Sequence, residues 1–215
     1  MRVLIFGDSI TQGYWDTEGG WVDRLRKYYD ELQVTDLDGR DEPTIFNLGI
    51  SADNSANVVA RIESEIRSRT RHNNPPIIIV QIGINDSSKD SLSKEETVSL
   101  PIHEYEQNLR AIINTVKVMG SKLIFVGLSA CDESKTRPVS WGDFHYTNSA
   151  IKTYEDTMKN VAAEYGIAFI SVFNSFAAEL KRDRMLLSDG LHPNNEGHEA
   201  MFDIIGPKLF DLLVK

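Results

Sequence analysis

The sequence predicts an α/β fold built on a parallel sheet that is covered on both faces. Five short runs rich in Val, Ile and Phe recur, at residues 3–6, 44–48, 77–82, 123–128 and 168–172. Helical periodicity fills the stretches between them, and strands that alternate with helices form parallel βαβ units. The runs are near-continuous in apolar residues, the pattern of strands buried on both sides.

The first strand ends in Gly7-Asp8-Ser9-Ile10, and Trp21, Leu25, Tyr28 and Leu32 mark the helix after it. The second ends at Asn47-Leu48-Gly49 and is followed by a helix carrying Val58, Val59, Ile62 and Ile66. The third ends in Gly83-Ile84-Asn85-Asp86, before a helix on Tyr105, Leu109, Ile112 and Val116. After the fourth strand, Ile151, Tyr154, Met158, Val161 and Tyr165 predict a helix that Gly166 closes in a left-handed cap. The fifth strand precedes a last helix on Met201, Ile204, Ile205, Leu209 and Leu213, which Gly206-Pro207 is expected to kink. Residues 87–101 and 130–147 form two long irregular stretches, and loops of that length inside a compact domain are more often functional or mobile than accidental. The second holds Trp141, Phe144, His145 and Tyr146, which read either as the wall or lid of a site or as a cluster that packs the loop down.

The 215 residues, 41% hydrophobic and 26% charged, suit one well-filled domain spanning 1–215, with no repeat or dividing linker. A net charge of −9 repels polyanions and argues against nucleic acid or an anionic membrane surface as partner. Arg61, Arg67, Arg69 and Arg71 are the densest basic stretch, but Glu63 and Glu65 lie among them, and the stretch reads as a solvated helix face. The single cysteine, Cys131, forms no intrachain disulfide and offers no thiolate cluster for zinc; a packed small side chain is its expected role. The apolar run near Met1 is too short for a signal segment or a membrane span, so the chain as read is expected to be cytoplasmic, without stable membrane insertion.

The chemistry gathers at the strand ends. A serine hydroxyl is a poor nucleophile until a base removes its proton, and an imidazole oriented by a carboxylate is the usual base. Ser9 is placed where open α/β sheets build sites, and Asp189-Gly190-Leu191-His192-Pro193 supplies acid and base three residues apart. A turn there aims the carboxylate at one ring nitrogen and leaves the other for Ser9. Pro193 steers His192 away from helical backbone geometry, and Asn194 is a good N-cap for the last helix. Acyl transfer also needs donors for the developing oxyanion. The Ser9 N–H, the Gly49 N–H and the Asn85 side-chain amide are the candidates. Asp8 and Asp86 read as buried or capping carboxylates, and His198, His145, His103 and His72 as surface, packing or turn residues.

In this order and at these strand ends the residues resemble the GDSL/SGNH hydrolase superfamily, with Ser9, Gly49, Asn85 and His192 as its four signature positions. The resemblance runs from Gly7 to Pro193. It implies a three-layer α/β/α sandwich with a five-stranded parallel sheet in the order 2-1-3-4-5, as in flavodoxin-like folds, and no metal or other cofactor. It also implies hydrolysis of esters or thioesters of lipids, acetylated sugars or small acyl compounds. One departure stands out: where the family often has a further glycine and then a threonine after Gly49, this chain has Ile50-Ser51-Ala52-Asp53-Asn54-Ser55, and Ala52 is expected to alter the loop that carries the Gly49 donor.

The expected function is therefore a serine esterase acting on small or short-chain acyl groups through an acyl-Ser9 intermediate, with Trp141, Phe144 and Tyr146 as substrate-binding candidates. A carbohydrate O-acetylesterase is the alternative, and a lysophospholipase or thioesterase a further one. Two rivals come from other classes. A nucleotide-binding protein lacks its motif here, because Gly7 to Gly13 has neither P-loop nor G-x-G-x-x-G spacing. A catalytically silent binding protein on the same fold is disfavoured by the joint presence of nucleophile, base, acid and donors.

Overall fold

All five apolar runs are strands of one parallel sheet. The computed structural model describes residues 1–35, 42–72, 74–90, 97–182 and 184–213. In chain order its elements are β1 (Arg2–Gly7), α1 (Ser9–Gln12), α2 (Gly20–Thr35), β2 (Thr44–Gly49), α3 (Ser55–Arg69), β3 (Ile77–Gln81), β4 (Lys89–Asp90) and α4 (Ile102–Val118). They continue with β5 (Leu123–Val126), β6 (Phe144–His145), α5 (Asn148–Glu164), β7 (Ala168–Ile170), α6 (Phe173–Arg182), a 3-10 turn at Arg184–Leu186, and α7 (Asn195–Leu213). The main sheet runs β2-β1-β3-β5-β7, which is 2-1-3-4-5 when its own strands are counted alone. Helices α3, α4 and α5 pack in series on one face, and α2, α7 and α6 on the other.

Burial explains the strands. Val3, Leu4, Ile5 and Phe6 are fully buried, as are Ile78, Ile79 and Val80 beside them, so β1 and β3 sit at the centre of one apolar cluster with helices above and below. The register sets Gly7 opposite Gly49 on one side and Gln81 on the other, which brings three strand ends level at a single edge. The switch in strand order falls between β1 and β3, where a crevice opens for a ligand.

Several details depart from the sequence reading. The one-turn α1 and the whole of α6 were not anticipated. On α2 Tyr29 is buried along with Trp21, whereas Tyr28 is half-exposed and stacks on Phe210 at 4.2 Å. The last helix, α7, carries Pro207 inside its span. Gly166 adopts the left-handed conformation expected of it, with φ of +65°. The two irregular stretches meet: β4 pairs antiparallel with β6, so each braces the other. Residues 91–96 of the first stretch lie outside the described residues.

Candidate active site

Ser9 is held by a turn that only Gly7 permits. A side chain at Gly7 would meet the Thr11 hydroxyl at 2.0 Å and the Gln81 carbonyl at 2.4 Å, so the chain can fold from β1 straight into α1 against β3 only without one. Asp8 caps α1 by accepting a hydrogen bond from the Ile10 amide at 2.9 Å. Ser9 then occupies the first helical position, 5% exposed, and its N–H has no partner among the described residues. Below it, Gln81 ties the turn down, accepting from the Thr11 hydroxyl at 3.1 Å and the Trp21 indole at 3.0 Å while donating to the Gly127 carbonyl at 2.9 Å.

The Ser9 Oγ lies 2.9 Å from His192 Nε2, and His192 Nδ1 lies 2.7 Å from Asp189 Oδ2. The segment 188–193 folds back on itself. Asp189 Oδ1 accepts the Leu191 and His192 amides at 2.9 and 2.8 Å, and the Ser188 amide donates to the His192 carbonyl at 2.9 Å. Gly190 makes this turn with φ of +94°. Burial works to raise the Asp189 pKa, but the hydrogen bonds from the His192 ring and from both amides outweigh it and hold the carboxyl below the usual range. Asp189 therefore stays charged beside the imidazole and fixes which ring nitrogen faces Ser9. Asn194 Oδ1 accepts the Gly197 amide at 2.9 Å, capping α7 just beyond the turn.

Asn85 is clamped at both ends of its amide. Its Nδ2 donates to the Asp53 carbonyl at 2.8 Å, and its Oδ1 accepts from the Tyr146 hydroxyl at 2.9 Å. One Nδ2 hydrogen remains for a ligand. The Gly49 N–H, in contrast, is taken by the Asn47 side chain at 3.1 Å. What Gly49 supplies is space: a side chain there would meet the Gln12 backbone nitrogen at 2.3 Å. Three residues on, Ala52 has φ of +67°, an uncommon conformation for a non-glycine residue, and its N–H has no partner among the described residues. Ala52 and Asn85 line the same cavity of about 480 Å³, together with Phe144 and Tyr146.

The family model of the GDSL-like lipase/acylhydrolases matches residues 5–200. The chain belongs to that family. Over 219 residues it is 28% identical to an isoamyl acetate-hydrolyzing esterase 1 homolog of Mus musculus, covering 97% of this chain and 81% of that protein. Among solved structures it resembles the lipase/acylhydrolase from Enterococcus faecalis, with a TM-score of 0.73, 21% identity and coverage of 99% of this chain and 96% of that one. It also resembles an acetyl xylan esterase from Geobacillus stearothermophilus, with a TM-score of 0.70, 22% identity and coverage of 95% and 92%. The structural likenesses carry the fold; the family match makes the chain a carboxylic-ester hydrolase.

In this GDSL hydrolase the sequence-predicted residues divide. Ser9, His192 and Asp189 are joined by hydrogen bonds and Asn85 is held just past the neighbouring strand β3, while Gly49 does not offer a free donor. Trp141 lies over His192, with ring centroids 5.8 Å apart, and is 42% exposed. Tyr146 is buried at 4% exposure with its hydroxyl on Asn85, so it braces the amide while it borders the cavity, and Phe144 packs edge-on against it. Arg61 corrects the reading of a solvated basic face: it pairs with Asp53 at 2.9 Å, donates to the Leu48 carbonyl at 2.8 Å, and lies over Phe6, so it locks the Ala52 loop to the ends of β1 and β2. Arg67 and Glu63 do form an exposed pair. Asp8 and Asp86 are buried and cap α1 and α3 as expected, and Cys131 is a buried free thiol. Tyr14 and Trp15, which drew no notice in the sequence, stand beside His192 and Asp189. Among the described residues no His, Cys, Asp and Glu cluster has metal-binding geometry, and no helix is long and apolar enough to cross a membrane.

Proposed function

We propose that the chain hydrolyses short-chain, acetate-type carboxylic esters through an acyl-enzyme on Ser9. The observation that carries this reading is the continuous chain of hydrogen bonds from Ser9 Oγ through His192 to Asp189. His192 Nε2 takes the Ser9 proton as Oγ bonds to the acyl carbon, and then delivers that proton to the alcohol oxygen as its bond to carbon breaks. Water, deprotonated by the same nitrogen, then cleaves the acyl-Ser9 ester and releases the acid. The oxyanion is received by the Ser9 N–H, the spare Asn85 hydrogen and the Ala52 N–H, the last in place of Gly49.

Two features support a short acyl group. The cavity beside Asn85 sets Asn54, Ser88, Lys89, Asp90 and Ser99 among Ala52, Val98, Phe144 and Tyr146, a mixed lining in which a long alkyl tail meets polar groups along its length. The mouse relative is named for an acetate ester, and so in effect is the xylan esterase neighbour. The polar groups in that lining favour a second reading, removal of acetyl groups from a carbohydrate. Hydrolysis of a p-nitrophenyl ester series from acetate to decanoate, alongside acetylated sugars, tests both. Turnover should peak at acetate or butyrate and vanish in Ser9→Ala. Retained turnover in Ser9→Ala, or a peak at long chains, would overturn the proposal.

A further inference from the structure

Five aromatic side chains of the described residues are half-exposed, and three of them gather at one place. Tyr28 stacks on Phe210, and Tyr165 lies beneath Arg110, so these two have partners that account for them. Tyr14 and Trp141, 41% and 42% exposed, flank His192, and Trp15, 56% exposed, stands against Tyr14 and Asp189. The Tyr14 ring meets the imidazole edge-on at 5.2 Å and Trp141 meets it at 5.8 Å from the far loop, while the Tyr14 and Trp15 rings lie 4.8 Å apart. Three large apolar surfaces from two distant segments thus face solvent around the His192–Asp189 pair, which is the signature of a binding surface.

Trp15 adds a second, independent observation. Its φ is +69°, a conformation that costs a bulky residue free energy, and its indole N–H reaches Asp189 Oδ2 at 3.3 Å. Gly13, at φ of +87°, ends α1 and throws residues 14 and 15 outward at this point. Nothing in the core requires an indole there, since the side chain is more than half exposed.

The direction of proton flow assigns the surface. The nitrogen that removes the Ser9 proton must also protonate the departing oxygen, so the alcohol half of the ester leaves on the His192 side, while the carbonyl oxygen points to Asn85. We propose that Tyr14, Trp15 and Trp141 form a leaving-group subsite that binds an uncharged alcohol through an apolar, C–H-rich face. A branched alkyl chain, an aryl ring and one face of a sugar ring share that chemistry. The inference rests on the esterase reading above and adds which half of the ester the enzyme selects.

The test holds the acyl group at acetyl and varies the alcohol. Methyl, isoamyl, phenyl and sugar acetates are compared for the wild type, Trp15→Ala, Trp141→Ala and Trp15→Phe, with ethyl esters of lengthening acids as a second series. The ratio of kcat/KM for the preferred bulky acetate to that for methyl acetate should fall roughly ten-fold in each alanine variant, mainly through KM. Trp15→Phe keeps a ring and should keep most of the ratio. The alcohol whose ratio falls furthest identifies the source: isoamyl or phenyl for an apolar alcohol, a sugar acetate for a carbohydrate. Unchanged ratios, or losses that follow the acyl series instead, would overturn the subsite. Labelling of Ser9 by a small phosphonate separates the two ideas. Rapid labelling with unchanged alcohol ratios sinks the subsite alone, whereas no labelling and no turnover in the wild type removes the nucleophile and the subsite with it.

Discussion

Asn85 engages both ends of its amide before any ligand arrives, and this determines what its neighbours do. The Tyr146 hydroxyl holds Oδ1 and the Asp53 carbonyl holds one Nδ2 hydrogen, so the remaining hydrogen has a fixed direction without side-chain reorganisation during reaction. Asn85→Ala should lower kcat by roughly 10²- to 10³-fold with KM little changed. Tyr146→Phe should cost less, and adding it to Asn85→Ala should cost almost nothing more, because the hydroxyl acts only through the amide. Additive losses in that double-mutant cycle would give Tyr146 a separate role. For Asp189, the neutral isostere Asn should reduce kcat by roughly 10²- to 10⁴-fold, since it cannot hold the same imidazole tautomer or stabilise the imidazolium. Steady-state kinetics of Asp189→Asn with the backbone turn intact checks this, and near-wild-type turnover would reassign the carboxylate to turn structure.

Buried polar groups add to packing in holding the helices in place. Glu155 on α5 is 1% exposed, and its carboxylate accepts the Val172 and Phe173 amides, both at 3.0 Å, at the start of α6. Those amides are N-terminal donors with no partner inside their own helix, so Glu155 ties α6 to α5 across the end of β7. Gly127 leaves room for it, since a side chain there would meet Glu155 Oε1 at 2.1 Å. Glu155→Ala leaves two buried donors unpaired and should destabilise the fold by about 2–4 kcal/mol. Glu155→Gln keeps an acceptor and should cost less. Equilibrium urea unfolding of the two variants measures the difference, and equal midpoints would show that the carboxylate contributes nothing as a cap.

Two buried groups pull the stability of the whole molecule in opposite directions with pH. Burial raises the Asp8 pKa from 3.8 to about 7, partly offset by the Ile10 amide and the charge of His192, with Asp86 nearby adding to the rise. The folded chain therefore favours protonated Asp8, and that stabilisation, complete below about pH 4, is lost as pH climbs to 7. Burial lowers the His198 pKa from 6.5 to about 4, with Asp16 opposing it and Arg24 and His192 reinforcing it. The folded chain keeps His198 neutral, so stability falls as pH drops from 6.5 towards 4. Each slope masks the other in the same window. Asp8→Asn, which retains the cap, should gain stability relative to wild type at pH 7.5 compared with pH 4.5, by about 3–4 kcal/mol at most. His198→Gln should show the reverse trend. Thermal unfolding of the three proteins at both pH values decides it; parallel curves would mean that neither group changes its proton affinity on folding.

The fold was legible because it follows from local pattern. Apolar runs separated by helical repeats make a parallel sheet, and a serine, an amide and an acid–base pair at strand ends place the chemistry on one edge. Ser9, Asn85, Asp189 and His192 were readable for that reason: each carries its chemistry in its own side chain and stands beside a recognisable strand or turn. The rest depended on where backbone groups point. A backbone N–H belongs to every residue, and only the folded loop shows that the Gly49 donor is taken by Asn47 while Ala52, at positive φ, keeps its own free. Arg61 read as part of a solvated stripe because charge pattern along a helix does not reveal that its guanidinium folds back over Phe6 and the end of β2. Tyr146 and Trp141 looked alike in the loop, yet one is buried beneath Asn85 and the other stands open over His192. Sequence periodicity determines which face of an element is apolar; the contacts between distant segments decide which polar atom is already satisfied and which is left to meet a substrate.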